Sequence, residues 1–276
     1  MLHFYTTLRV TLLLALGLIV TGCASTTQSG AVGVERKQLL LVSSKQAEQG
    51  AAAFYAKEKD KYSRAGALNV NAQQTARVRT IANALIEQAG AFRPDTRDWK
   101  WEVNVISSKE INAYCTAGGK MAVYTGLLDG LKLNDNEVAA VMGHEIAHAL
   151  REHTREAMSE AMAQQVGLSV LAATLKLEQN TTNLLGHAAQ IGLTLPFSRE
   201  KEREADRIGL ELMARAGYNP RDAVSVWRKM MSSTSGSPPE LLSTHPDPGN
   251  RIKDIEAHLP SVIPLYEEAI RRKPAR

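Results

Sequence analysis

Hydrophobic positions recur at helical spacing over residues 43–64 and again over 71–89. The run Trp99-Lys100-Trp101-Glu102-Val103-Asn104-Val105 then alternates with period two, which predicts a half-buried strand with Trp99 and Trp101 on its inner face. Two short strands are expected near 111–115 and 121–124, turned by Gly118-Gly119. After Gly126 the pattern is almost entirely helical. Asn134 with Glu137 three residues on is an N-cap and capping pair for a long helix to about Met158. Another helix runs from Ser198 to a stop at Gly217, and Asn219-Pro220 opens the next. Between them, residues 161–195 hold only Lys176 and Glu178 as charges, and read as buried or lid-like helices. Their longest apolar run, 166–175, is too short to cross a bilayer. Strands first and helices afterwards predict an α+β domain.

The beginning of the chain follows a different logic. Arg9 precedes an apolar run over residues 10–20, followed by Val20-Thr21-Gly22-Cys23. Such a run reaches only about 16 Å as a helix, short of the roughly 30 Å hydrocarbon layer. A cleavable signal sequence over residues 1–22 fits the length. The ending resembles a bacterial lipobox, which implies that Cys23 becomes the acylated first residue and anchors the protein to a membrane. Ala24 is not the aspartate associated with inner-membrane retention, so the periplasmic face of the outer membrane is the expected location. Residues 23–33, small and uncharged, are expected to be a flexible tether ahead of a globular domain over 34–276. With Cys23 blocked, Cys115 is left as a free thiol.

Composition narrows the classes further. The 276 residues are 44% hydrophobic and 22% charged with a net charge of +4, values that exclude extended disorder and a polytopic membrane protein. Basic residues are mixed with acidic ones. The one dense cluster, Arg271, Arg272, Lys273 and Arg276, reads as a solvated terminus, and no nucleic-acid partner is expected.

The chemistry begins at His144-Glu145-Ile146-Ala147-His148, inside the long predicted helix. A spacing of four sets the imidazoles about 40° apart and one turn along, so both can reach one ion. Glu145 between them is placed to take a proton from water, the arrangement of an H-E-x-x-H zinc peptidase. Catalytic zinc takes three protein ligands, so a third is required. His153 would lie about 180° around the helix from His144 and reads as a structural histidine on the apolar stripe. In Ser198-Arg199-Glu200-Lys201-Glu202-Arg203-Glu204-Ala205-Asp206, the Glu202/Asp206 pair at i, i+4 can supply one ligand carboxylate and one that orients a ligand histidine. Spacing leaves Glu202 open against Glu200 and Glu204. His245, in Ser243-Thr244-His245-Pro246, and Arg251 are candidates to face a developing oxyanion. His187 and His258 have no such context.

Together these blocks resemble the metallopeptidase family of HtpX and the CAAX prenyl proteases, particularly its soluble bacterial lipoprotein members. The resemblance runs over residues 103–255. It rests on Asn112-Ala113-Tyr114, Gly118-Gly119-Lys120, Val123-Tyr124-Thr125-Gly126-Leu127-Leu128, the H-E-x-x-H, Ser198-Arg199-x-x-Glu202-x-x-Ala205-Asp206, and Thr244-His245-Pro246 with Arg251. It implies a zincin-like domain, mostly helical with a small sheet. One zinc ion would be held by His144, His148 and Glu202, with Asp206 behind them. Glu145 is implied as general base, and His245 and Arg251 as transition-state stabilisers. Asn112, Ala113 and Tyr114 would pair with an extended substrate backbone. The implied activity is endoproteolysis of unfolded or misassembled envelope proteins, a quality-control function. Two further readings stay open: His245 as a fourth zinc ligand that holds the enzyme latent, and an envelope chaperone that keeps the zinc fold but rarely cleaves.

Overall fold

The computed structural model describes residues 23–174, 196–233, 240–246 and 248–272. Two helices precede the main sheet. Helix α1 (Ser44–Arg64) starts at a capping box between Ser43 and Gln46, and α2 (Ala72–Ala89) is capped by Asn71. Strands β3 (Glu102–Ile106), β4 (Ala113–Thr116) and β5 (Lys120–Tyr124) form a sheet in the order β3-β5-β4. β3 runs parallel to β5, and β4 runs antiparallel to it. Strand β3 begins three residues later than the alternation suggests. Trp99 and Trp101 stand just before it, their rings 5.2 Å apart, packed against the core. The Gly118-Gly119 turn is present with both φ angles positive, and a Cβ on Gly119 would sit 2.6 Å from the Trp101 ring.

Helix α3 (Asp135–Leu150) begins at the expected Asn134/Glu137 capping box, and every residue from Glu137 to Leu150 is buried. It forms the centre of the domain, between the sheet and the helix α5 (Arg199–Arg215). It does not run on to Met158. The chain turns at Arg151-Glu152, where Glu152 takes a left-handed φ of 49°, and α4 (His153–Thr174) sets off anew. A non-glycine residue holds that conformation at a cost of roughly 1–3 kcal/mol. Distant side chains hold it there: Glu152 Oε1 accepts from Arg93 Nη1 and Ser44 Oγ, each at 2.8 Å, and Oε2 accepts from Arg155. Helix α4 carries exposed apolar side chains at Met162 and Val166. Residues 175–195, which include the rest of the lid-like stretch and His187, lie outside the described residues.

Helix α5 (Arg199–Arg215) is capped by Ser198 and ends before Gly217, as its sequence predicts. Then come α6 (Asp222–Ser232), the short α7 (Glu240–Thr244) and α8 (Pro248–Arg272), which packs back on α5. Arg271 and Arg272 are exposed at the end of α8, and Lys273 and Arg276 lie outside the described residues. Among the described residues no helix is long and apolar enough to cross a membrane.

The stretch expected to be a flexible tether is laid against the body instead. β1 (Cys23–Ala24) pairs antiparallel with β2 (Gln38–Leu39), and Gln28 N–H donates to the Phe92 carbonyl at 2.8 Å. Burial of Val32 and Val34 in the main core supplies the driving force that a small-residue composition conceals. Residues 1–22 lie outside the described residues.

Candidate metal centre and active site

Helices α3 and α5 cross backbone to backbone. A Cβ built on Gly209 would lie 2.7 Å from the His144 nitrogen, and one on Gly143 would lie 2.9 Å from the Gly209 carbonyl oxygen. Only glycine on both sides permits this approach, and it brings α5 carboxylates up to the α3 histidines. A Gly209→Ala substitution forces the helices apart. We expect a loss of about 1–3 kcal/mol of stability from overpacking, together with weakened zinc binding. Unchanged thermal melting and full zinc content would contradict that role.

His144 and His148 project from α3 one turn apart, Glu202 comes from the first turn of α5, and His245 follows α7. Each is buried, and one ligand atom from each of the four lies within 4.8 Å of the others. His144 Nε2 is 3.0 Å from His148 Nε2 and 3.2 Å from His245 Nδ1. Glu202 Oε1 lies 3.4 Å from His148 Nε2 and 2.9 Å from His245 Nδ1, and Oε2 lies 3.5 Å from His144 Nε2. A tetrahedral zinc with ligands at ~2.0–2.1 Å holds its donors roughly 3.4 Å apart, so this set fits the ion. The unsatisfied atoms point the same way. Glu145 Oε1 is buried without a hydrogen-bond partner, and Glu202 Oε2 contacts Arg251 Nη1 at 2.7 Å without the alignment of a hydrogen bond.

Electrostatics prepare the donors. Burial, helped by the Arg251 charge, lowers His144 to about 4. Burial also holds His148 well below the usual imidazole range, so both are neutral bases with a lone pair to give. Burial opposes ionisation of Glu202, but the charges of His245 and Arg251 override it and keep the carboxylate ionised. Burial pushes Glu145 up to about 7. A divalent cation beside it pulls that value back down, which keeps Glu145 within the range of a working general base.

Asp206 stands where a ligand-orienting carboxylate belongs, with Oδ1 3.0 Å from His144 Nδ1. A proton on Nδ1 donates to it and leaves Nε2 free toward the metal position. Arg251 Nε and Nη2 both donate to Asp206 at 2.7 Å, its Nη1 faces Glu202, and its guanidinium lies 3.7 Å over the Trp227 ring. Nη1 also donates to the His245 carbonyl at 3.4 Å, so the guanidinium ties Asp206, Glu202 and His245 together. His245 Nδ1 lies among the ligand atoms and its Nε2 is 3.6 Å from Glu145 Oε1.

The substrate-pairing candidates lie on an edge strand. Asn112 accepts from Tyr124 N–H at 3.1 Å and Thr116 from Gly119 N–H at 3.0 Å. Alternate residues of β4 thus face β5, which turns the N–H and C=O of Ala113 and Cys115 to the other edge. Among the described residues no strand pairs with that edge. The Tyr114 ring packs edge-on against Phe54 and Tyr55. Cys115 is a buried free thiol, and burial and the Glu145 charge both push its pKa up and keep it protonated. His258 serves its own helix, Nδ1 contacting the Asp254 carbonyl at 2.7 Å. Phe197, one residue before the Ser198-Arg199 motif, stacks on His148 with 4.3 Å between ring centroids. His153 is the larger surprise. The turn at Glu152 brings its Nδ1 to 2.9 Å from His148 Nδ1.

Two histidines on one helix, a carboxylate from a second helix and a buried glutamate between them define a metallopeptidase site of the H-E-x-x-H kind. The chain belongs to peptidase family M48, whose family model matches residues 72–259, more than half its length. Zinc is the metal of that family. Among its relatives, the mitochondrial metalloendopeptidase OMA1 of Arabidopsis thaliana is 39% identical over 153 residues, covering 55% of this chain and 30% of the relative. The OMA1 of Schizosaccharomyces pombe is 38% identical over 165 residues, 59% of this chain and 48% of the relative. The β-barrel assembly-enhancing protease of Escherichia coli (strain K12) is 32% identical over 177 residues, 60% of this chain and 36% of the relative. The matches thus span less than half the length of each of these relatives.

Proposed function

We propose that the chain is a zinc metalloendopeptidase of the bacterial cell envelope that cleaves unfolded or misassembled envelope proteins. The observation that carries the reading is the convergence of His144, His148 and Glu202 donors beside Glu145, whose Oε1 is buried without a hydrogen-bond partner. When bound, zinc supplies a Lewis acid that polarises the scissile carbonyl and makes water acidic enough to lose a proton near neutral pH. In this reading Glu145 accepts that proton as water attacks, then delivers it to the leaving amine. Asp206 keeps His144 in the tautomer with Nε2 free, and Arg251 holds Asp206 and Glu202 together. The free edge of β4 offers the Ala113 and Cys115 backbone groups to an extended polypeptide, a mode of binding that selects unfolded segments. The lipobox-like ending at Cys23 supports a lipid anchor and a location at the outer membrane. The relationship to a β-barrel assembly-enhancing protease supports an envelope substrate.

With His245 among the donors, we take the described state to be latent. His245 Nδ1 lies among the other donors and would serve as a fourth ligand, filling the position that water or substrate would take. His245→Ala is expected to raise basal cleavage of casein several-fold. A variant with wild-type or lower basal activity and an intact zinc content would argue against latency. The test of the broader function is mass-spectrometric mapping of envelope-protein cleavage ends in cells with wild-type chain or Glu145→Gln. Ends that vanish in the variant and fall in unfolded segments support the reading. An unchanged set of ends together with full complementation by Glu145→Gln would favour the chaperone alternative.

A further inference from the structure

Glu204 is buried beside the metal ligands without being one of them. Its Oε1 accepts from Arg36 Nε at 2.7 Å, and its Oε2 accepts from Arg36 Nη2 at 3.1 Å and Arg151 Nε at 3.0 Å. The same Oε2 lies 3.0 Å from His153 Nε2. His153 has no exposed surface, and its other nitrogen faces His148 Nδ1 at 2.9 Å. For a neutral His153 the proton positions follow from these contacts. Glu204, surrounded by two guanidinium groups, is an acceptor only, so His153 Nε2 must donate to it. A neutral His153 therefore has a bare Nδ1 that accepts, so His148 Nδ1 carries the proton. With Nδ1 protonated, His148 Nε2 is the bare nitrogen, and it is the one that faces His144 and Glu202. Which ring nitrogen meets a metal is set by the hydrogen bond the other makes.

We propose that His153 and Glu204 are positioning residues for the metal site: they fix the tautomer and ring angle of His148 as Asp206 does for His144. Arg36 extends this role to the N-terminal segment. It reaches Glu204 from between β1 and β2, and Arg151 Nη2 donates back to the Arg36 carbonyl at 2.9 Å. The segment that packs along the body thus clamps the carboxylate at the far end of the relay. The inference rests on the metal-site reading and adds residues outside the H-E-x-x-H and Glu202 set.

The experiment is zinc affinity measured by competition with a chromophoric chelator, on wild type, His153→Ala, His153→Asn and Arg36→Ala. Loss of an outer contact to a ligand histidine typically lowers affinity by ~10–100-fold, the loss expected for His153→Ala. His153→Asn places an amide oxygen near the Nδ1 position and should recover most of that loss, which a purely space-filling role would not predict. Arg36→Ala should weaken binding to a smaller extent. Wild-type affinity in a folded His153→Ala would overturn the proposal, whereas failure of the wild type itself to bind zinc would overturn the metal-site reading. A second measurement needs no variant. Side-chain 15N spectra of histidine-labelled, zinc-loaded protein should show His148 protonated at Nδ1 and His153 protonated at Nε2 only. A proton on His153 Nδ1 would refute the relay.

Discussion

Glu145→Gln leaves zinc bound and removes turnover. Gln cannot accept a proton at any working pH, and positioned proton transfer contributes ~10²–10⁴-fold to rate. The amide has nearly the shape of the carboxylate and is not among the donors within reach of the metal position, so fold and metal content should match wild type. The loss belongs in kcat, with little change in KM, because the proton moves only during the reaction. Zinc stoichiometry and peptide-cleavage kinetics on the same preparation check it. Proteolysis within tenfold of wild type would remove Glu145 from the chemistry.

Glu202→Ala acts on a different quantity. It deletes a ligand and also strips Arg251 of one of its two carboxylate partners, inside a site where Arg251 is 2% exposed. Breaking a buried charge arrangement by removing one partner costs about 3–5 kcal/mol. Both effects point the same way: zinc is lost from the purified protein, the melting temperature falls, and added zinc no longer raises it. Glu145→Gln should keep the zinc-dependent rise, so the two variants separate metal binding from turnover. A Glu202→Ala protein that retains one zinc per chain would move the third ligand elsewhere.

The features legible in the sequence were those written locally. Capping at Asn134/Glu137 and Ser198, the glycine turn after β4 and the His144/His148 pair each depend on residues within a few positions, and all appear in the structure. The third ligand was not local. Spacing could not separate Glu202 from Glu204, and the family resemblance favoured Glu202; in the structure both carboxylates are committed, Glu202 to the donor cluster and Glu204 to His153, Arg36 and Arg151. The misjudged features all depended on partners far along the chain. Helix α3 ends early because Glu152 is held left-handed by Ser44, Arg93 and Arg155, and that turn is what swings His153 to His148. Nothing in the neighbourhood of Arg251 announces the Asp206 carboxylate that takes two of its donors. The segment before Val34 reads as a tether by composition, yet two valines and Arg36 bind it down. Glycines 143 and 209 carried no signal until the helices crossed.

The central claim is that His144, His148 and Glu202 meet on one zinc ion, and anomalous diffraction at the zinc absorption edge tests it most directly. One peak per chain is expected, with His144 Nε2, His148 Nε2 and a Glu202 oxygen at ~2.0–2.2 Å from it. A zinc-loaded crystal without a peak there, or with its zinc bound by other side chains, would contradict the account.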